Sequence, residues 1–85
     1  MPVTGNQIRA ARSLAGMNQE DLAEAAKVGI NTIRNFEGWG AEIVRGRIDT
    51  MDAIRAALRD KGLELLEDGQ MSTGGLGVRF ISPRP

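Results

Sequence analysis

Residues 18–37, NQEDLAEAAKVGINTIRNFE, set two amphipathic helical patterns end to end with only Lys27, Val28 and Gly29 between them. Asn18 suits a helix N-cap with Asp21 three positions on, and Glu20 and Asp21 put negative charge at the positive end of that helix. Leu22, Ala23 and Ala26 form its apolar stripe; Ile33 and Phe36 face inward from a second helix that starts near Ile30. So short a break makes the two helices meet at a steep angle, with the small Ala23 where they cross closely.

The flanking sequence supplies more helices and then changes character. Thr4 is an N-cap candidate for a first helix, with Ile8, Ala11, Leu14 and Ala15 on one face and Gly16 at its end. After the irregular, glycine-rich GWGAEIVRGR, Asp49 is expected to cap a fourth helix carrying Met51, Ile54, Ala57 and Leu58, stopped by Lys61-Gly62. Beyond Gly62, LELLE and GVRFI suit strands and are separated by the turn-forming DGQMSTGG, which predicts a β-hairpin. The expected organisation is a mainly α domain of four helices over residues 1–61, a hairpin extension over 62–82 and a tail over 83–85. A lone hairpin is marginal in water and exposes strand edges. A two-fold dimer through Leu63, Leu65, Val78 and Phe80 would resolve this; the other solution is a hairpin folded back on helix 4.

Composition narrows the chemistry. A chain of 85 residues buries one modest core. It has no cysteine and no histidine, so the thiolate ligand, the commonest zinc ligand and the commonest general base are all missing. No apolar run approaches the roughly 20 residues that span a bilayer, and MPVTGNQ lacks a signal peptide's apolar stretch, so a cytoplasmic protein is expected. Asp49 and Asp52, like Glu64, Glu67 and Asp68, read as a cap and solvated charges, not as a metal site or a catalytic pair. DGQMSTGGLG lacks the lysine and following helix of a phosphate-binding loop. Met51 and Met71 read as gap filler and loop. No enzyme activity, metal or cofactor is expected. Eleven basic and eleven acidic side chains cancel, so a polyanionic partner would have to be met by a local patch.

The run from Ile8 to Glu37, IRAARSLAGMNQEDLAEAAKVGINTIRNFE, resembles the helix-turn-helix of the Cro and phage-repressor (XRE) family of regulators. The matching positions are Arg12, the run Met17 to Ala23, Val28, Ile33 and Glu37, and the likeness covers most of residues 4–61. The Leu63–Ile81 extension resembles only a subset of small regulators ending in a strand pair. The resemblance implies that Gln19 hydrogen-bonds a DNA phosphate and that Ile30, Asn31, Arg34 and Asn35 read base edges. The residue chemistry agrees: asparagine pairs with adenine, arginine with guanine, and Ile30 suits a thymine methyl. Thr32 is a candidate for a phosphate or a base, and Arg45 and Arg47 suit backbone contacts. The likeness also implies a structural ion pair between Arg12 and Glu37.

Three departures stand out. Lys27 occupies a turn position usually held by glycine, at a cost on the order of 1 kcal/mol for a left-handed backbone. Gly29 replaces a Ser or Thr cap, and the GWGAEIVRGR loop is long. Trp39, flanked by glycines, is read as covering the core edge in preference to stacking on a sugar or base. The expectation is a homodimeric, sequence-specific regulator of double-stranded DNA, a repressor that inserts helix 3 into the major groove of an inverted-repeat operator. The competing class is a protein-interaction module, an antitoxin or antiactivator, on the same scaffold.

Overall fold

The computed structural model describes residues 3–67 and 74–81. Four helices, α1 (Gly5–Leu14), α2 (Gln19–Ala26), α3 (Ile30–Glu37) and α4 (Ile48–Asp60), precede two strands, β1 (Leu63–Leu66) and β2 (Gly77–Phe80). The strands pair antiparallel, so the expected mainly α domain with a C-terminal hairpin is what forms. Most of the DGQMSTGG turn, Met71 and the SPRP tail lie outside the described residues.

Both of the first two helices start on reciprocal caps. The Thr4 hydroxyl accepts from Gln7 N at 3.1 Å while Gln7 Oε1 accepts from Thr4 N at 2.8 Å. Asn18 and Asp21 repeat the arrangement at α2. Each box satisfies two backbone donors that a helix start would otherwise leave unpaired. The α1 stripe is Ile8 and Ala11, but Leu14 is 46% exposed and does not join them. The reason is local: the chain turns through Ala15 and Gly16, and Met17 takes the inner place. At the end of α2, Lys27 adopts φ 58°, ψ 43°, the left-handed conformation that a glycine would take without strain.

The start of α4 differs from expectation. Arg47 is the N-cap and offers no side-chain cap bond, so the helix begins ahead of Asp49. Asp49 lies within the first turn, where its carboxylate accepts from the Arg47 guanidinium at 3.1 Å and from Thr50 N at 3.0 Å. A carboxylate there still faces the positive helix end, which is why the residue type misleads about the boundary.

The hairpin folds onto its own chain. Leu63 and Leu65 are buried in the common core with Ile8, Ile54 and Leu58, and their cross-strand partners Phe80 and Val78 pack against that core. The alternate positions turn outward, where Glu64 and Arg79 pair at 3.1 Å. Leu63 and Leu65 therefore cannot present their side chains to a second copy, which corrects the proposed interface at those residues. Gln7 fastens this arrangement: its Nε2 donates to Leu66 O at 2.7 Å and to Gly77 O at 3.0 Å, one carbonyl from each strand.

The long loop after α3 is tied to the chain's first residues. Val44 N donates to Val3 O at 2.8 Å, Thr4 and Ile43 form an antiparallel bridge, and Asn6 N donates to Gly40 O at 2.9 Å. This brings the start of α1 against the end of α3 at Gly5. A β-carbon there would lie 2.5 Å from Phe36 O, 2.7 Å from Glu37 O and 2.8 Å from Gly40 N, all backbone atoms with little freedom to move. Gly5→Ala is expected to lower unfolding free energy by about 3 kcal/mol in urea titration, at the upper end of overpacking costs. Lys27→Gly is expected to raise it by about 0.5 kcal/mol, because relief of left-handed strain exceeds the added unfolded-state entropy.

Candidate nucleic-acid interface

Helix α3 divides cleanly into two faces. Ile33, Phe36 and Glu37 are buried, whereas Asn31, Arg34, Asn35 and Gly38 are exposed at helical spacing on the opposite side. Its N-cap, Gly29, makes no side-chain cap bond. The one contact among the exposed side chains is a long bond of 3.4 Å from Arg34 Nη1 to Asn31 Oδ1, and the Asn35 side chain makes none among the described residues. These donors and acceptors stand in solvent, uncommitted to the core. Ile30 and Thr32 are half-buried; Ile30 packs against the core and so offers only part of its side chain outward.

The orientation of α3 is set by an ion pair that the chain buries. Glu37 is 1% exposed and lies at the end of α3, where the helix dipole disfavours a carboxylate. Arg12 meets it from α1 in a fork, Nε to Oε2 at 2.7 Å and Nη2 to Oε1 at 3.0 Å, while Arg12 Nη1 donates to Met17 O at 3.0 Å. Gln19 Nε2 donates to Glu37 Oε1 at 3.2 Å, and Arg9 Nε approaches the same oxygen to 3.6 Å. One carboxylate thus joins α1, the start of α2 and the end of α3. Burial pushes the Glu37 carboxyl up; hydrogen bonds from Arg12 and Gln19, with the charges of Arg12 and Arg9, outweigh it and hold the group below the usual glutamate range. The hydrogen bond to Glu37 raises Arg12 in turn.

The remaining expected contacts are scattered by the fold. Gln19 begins α2, but its side-chain amide is engaged by Glu37 and must turn away from it to meet another acceptor. Arg45 is exposed in the loop after α3 and its side chain makes no hydrogen bond among the described residues. Arg47 is exposed but paired with Asp49, which holds that carboxyl below its usual range through its hydrogen bond. Trp39 is half-buried beside a shallow surface cleft shared with Glu42, Ile43 and Arg45, not within the core. The residues that sequence reasoning passed over are Gln7 and Arg9. The spacing Thr4-x-x-Gln7 carries the capping-box signal for Gln7; no local pattern marks Arg9.

Among the described residues no helix is long and apolar enough to cross a membrane, and no cluster of acidic side chains could hold a metal ion. No protein-family model matches the chain, and no curated protein sequence matches it.

Arg12→Ala is expected to cost about 3 kcal/mol, since it leaves a buried carboxylate without its principal partner. The double substitution Arg12→Met with Glu37→Leu should recover most of that loss, read as a coupling in a double-mutant cycle. Acid should weaken the wild type as pH falls below about 4.3, the unfolded glutamate value, toward the lower folded value of Glu37. In that window the unfolded chain binds a proton that the folded chain does not, so stability drops with pH. Glu37→Gln should lose this component of the acid dependence in urea titrations across pH.

Proposed function

We propose that this chain is a sequence-specific DNA-binding regulator with the helix-turn-helix fold of the Cro and phage-repressor class, and that α3 enters the major groove. The observation that carries the proposal is the face of Asn31, Arg34 and Asn35, polar, exposed and projected from a helix whose other side is locked into the core. The major groove admits a helix of this kind and displays the acceptors and donors these side chains match. Asn31 or Asn35 can take adenine N6 and N7, and Arg34 can take guanine O6 and N7. Gln19, Thr32, Arg45 and Arg47 serve phosphates, which fix register without reading sequence. Binding as a two-fold dimer would set two such helices about 34 Å apart on an inverted repeat. Occupation of that site in the cytoplasm would repress by excluding polymerase.

The balanced charge of the whole chain favours a second reading, a module that uses the same surface to grip a protein. Selection of bound sequences from a random duplex pool separates the two. The regulator reading predicts enrichment of an inverted repeat. It also predicts that Arg34→Ala relaxes preference at one position per half-site by about 1–3 kcal/mol while the unfolding midpoint stays put. A pool that emerges unenriched contradicts it.

A further inference from the structure

We propose that Arg9 is a binding residue for a backbone phosphate of the duplex, acting beside Gln19 at the rim of the interface; this rests on the DNA-binding reading above. The grounds lie in the Glu37 cluster, where one carboxylate meets two guanidinium groups. Arg12 is wholly spent on the fold, with two nitrogens on Glu37 and the third on Met17 O. Its charge matches that of Glu37 and leaves the Arg9 charge over. The Arg9 contact with Glu37, at 3.6 Å, is too long for a hydrogen bond, and its side chain is 56% exposed. All five guanidinium N–H donors of Arg9 lack a hydrogen-bond partner among the described residues. An exposed pair of that geometry adds little to stability, so folding alone gives weak reason for a guanidinium there.

The placement specifies the partner. Arg9 Nε and Gln19 Nε2 lie 3.6 and 3.2 Å from the same Glu37 oxygen, so they are no farther apart than those two distances laid end to end. Turned outward from Glu37, the two donors are near enough to share one phosphate through hydrogen bonds of about 2.9 Å. Guanidinium is the side chain best shaped to take two phosphate oxygens at once. The cluster's surplus positive charge therefore meets an anion next to α2, the helix that lies beside the projecting α3. Because Arg12 continues to hold Glu37, Arg9 and Gln19 can swing to the phosphate without releasing α3.

Equilibrium binding to a mixed-sequence DNA duplex, titrated with potassium chloride, tests this. Arg9→Ala should flatten the slope of log affinity against log salt by about 0.9 for each chain bound, and weaken binding uniformly across sequences. Its urea midpoint should match the wild type, and Arg9→Lys should restore most of the slope. Arg59→Ala, which removes a positive charge from the exposed last turn of α4, should keep the wild-type slope. Wild-type slope and affinity in Arg9→Ala overturn the inference while leaving the DNA-binding reading intact, and so does equal flattening in Arg59→Ala. A wild-type chain that binds no duplex at any salt overturns both.

Discussion

Glu37 ends α3 as a carboxylate buried away from water, and the guanidinium fork of Arg12 is what makes that position tenable. A carboxylate at the end of a helix and out of water is costly twice over, through desolvation and through the helix dipole. The chain offsets both with donors from α1 and from the start of α2. The energetic return is small for a buried pair, because desolvation consumes most of the attraction. What the pair supplies is geometry. With Glu37 held in the Arg12 fork, the roll of α3 about its own axis is set, and with it the direction in which Asn31, Arg34 and Asn35 point.

A second tie works at the other end of α1. Gly5 lets the backbones of α1 and α3 come close, and Val3 and Thr4 pin the loop that follows α3. Gln7 completes one cap and clamps the hairpin with the same amide, all of its polar atoms used. The hairpin thus serves as a lid on the helical core: Leu63 and Leu65 close it, and Glu64 with Arg79 face solvent. Apolar burial by so short a sheet would be weak alone, yet here it joins a core already built by four helices.

Much of this was legible in sequence because its causes are local. The caps at Thr4 and Asn18, the tight Lys27–Gly29 turn and the stripes of α2 and α3 follow from neighbours within one helical turn. The Arg12–Glu37 partnership does not; only the resemblance to the repressor family implies it, since no spacing rule links residues so far apart in sequence. The start of α4 is not legible, because Arg47 has no capping side chain and Asp49 is equally at home inside the first turn. Leu14 fits a helical stripe that the chain abandons by turning at Ala15. The alternation in LELL is the same whether its inner face meets its own core or a second chain, so only the fold decides that Leu63 and Leu65 turn inward. Gln7 reaches across nearly the whole chain to the hairpin, a contact that no window of sequence contains.

A zero-net-charge chain meets a polyanion only where its charges are sorted locally, and in the proposed complex that place is one side of α3 and the cluster beneath it. The most direct measurement is the map of backbone amide resonances as duplex DNA is added. If α3 enters the groove, the largest shifts fall on Asn31, Arg34 and Asn35 and on the first turn of α2, with Leu63–Leu66 unmoved. Shifts concentrated on the hairpin or α4, with α3 silent, would contradict it.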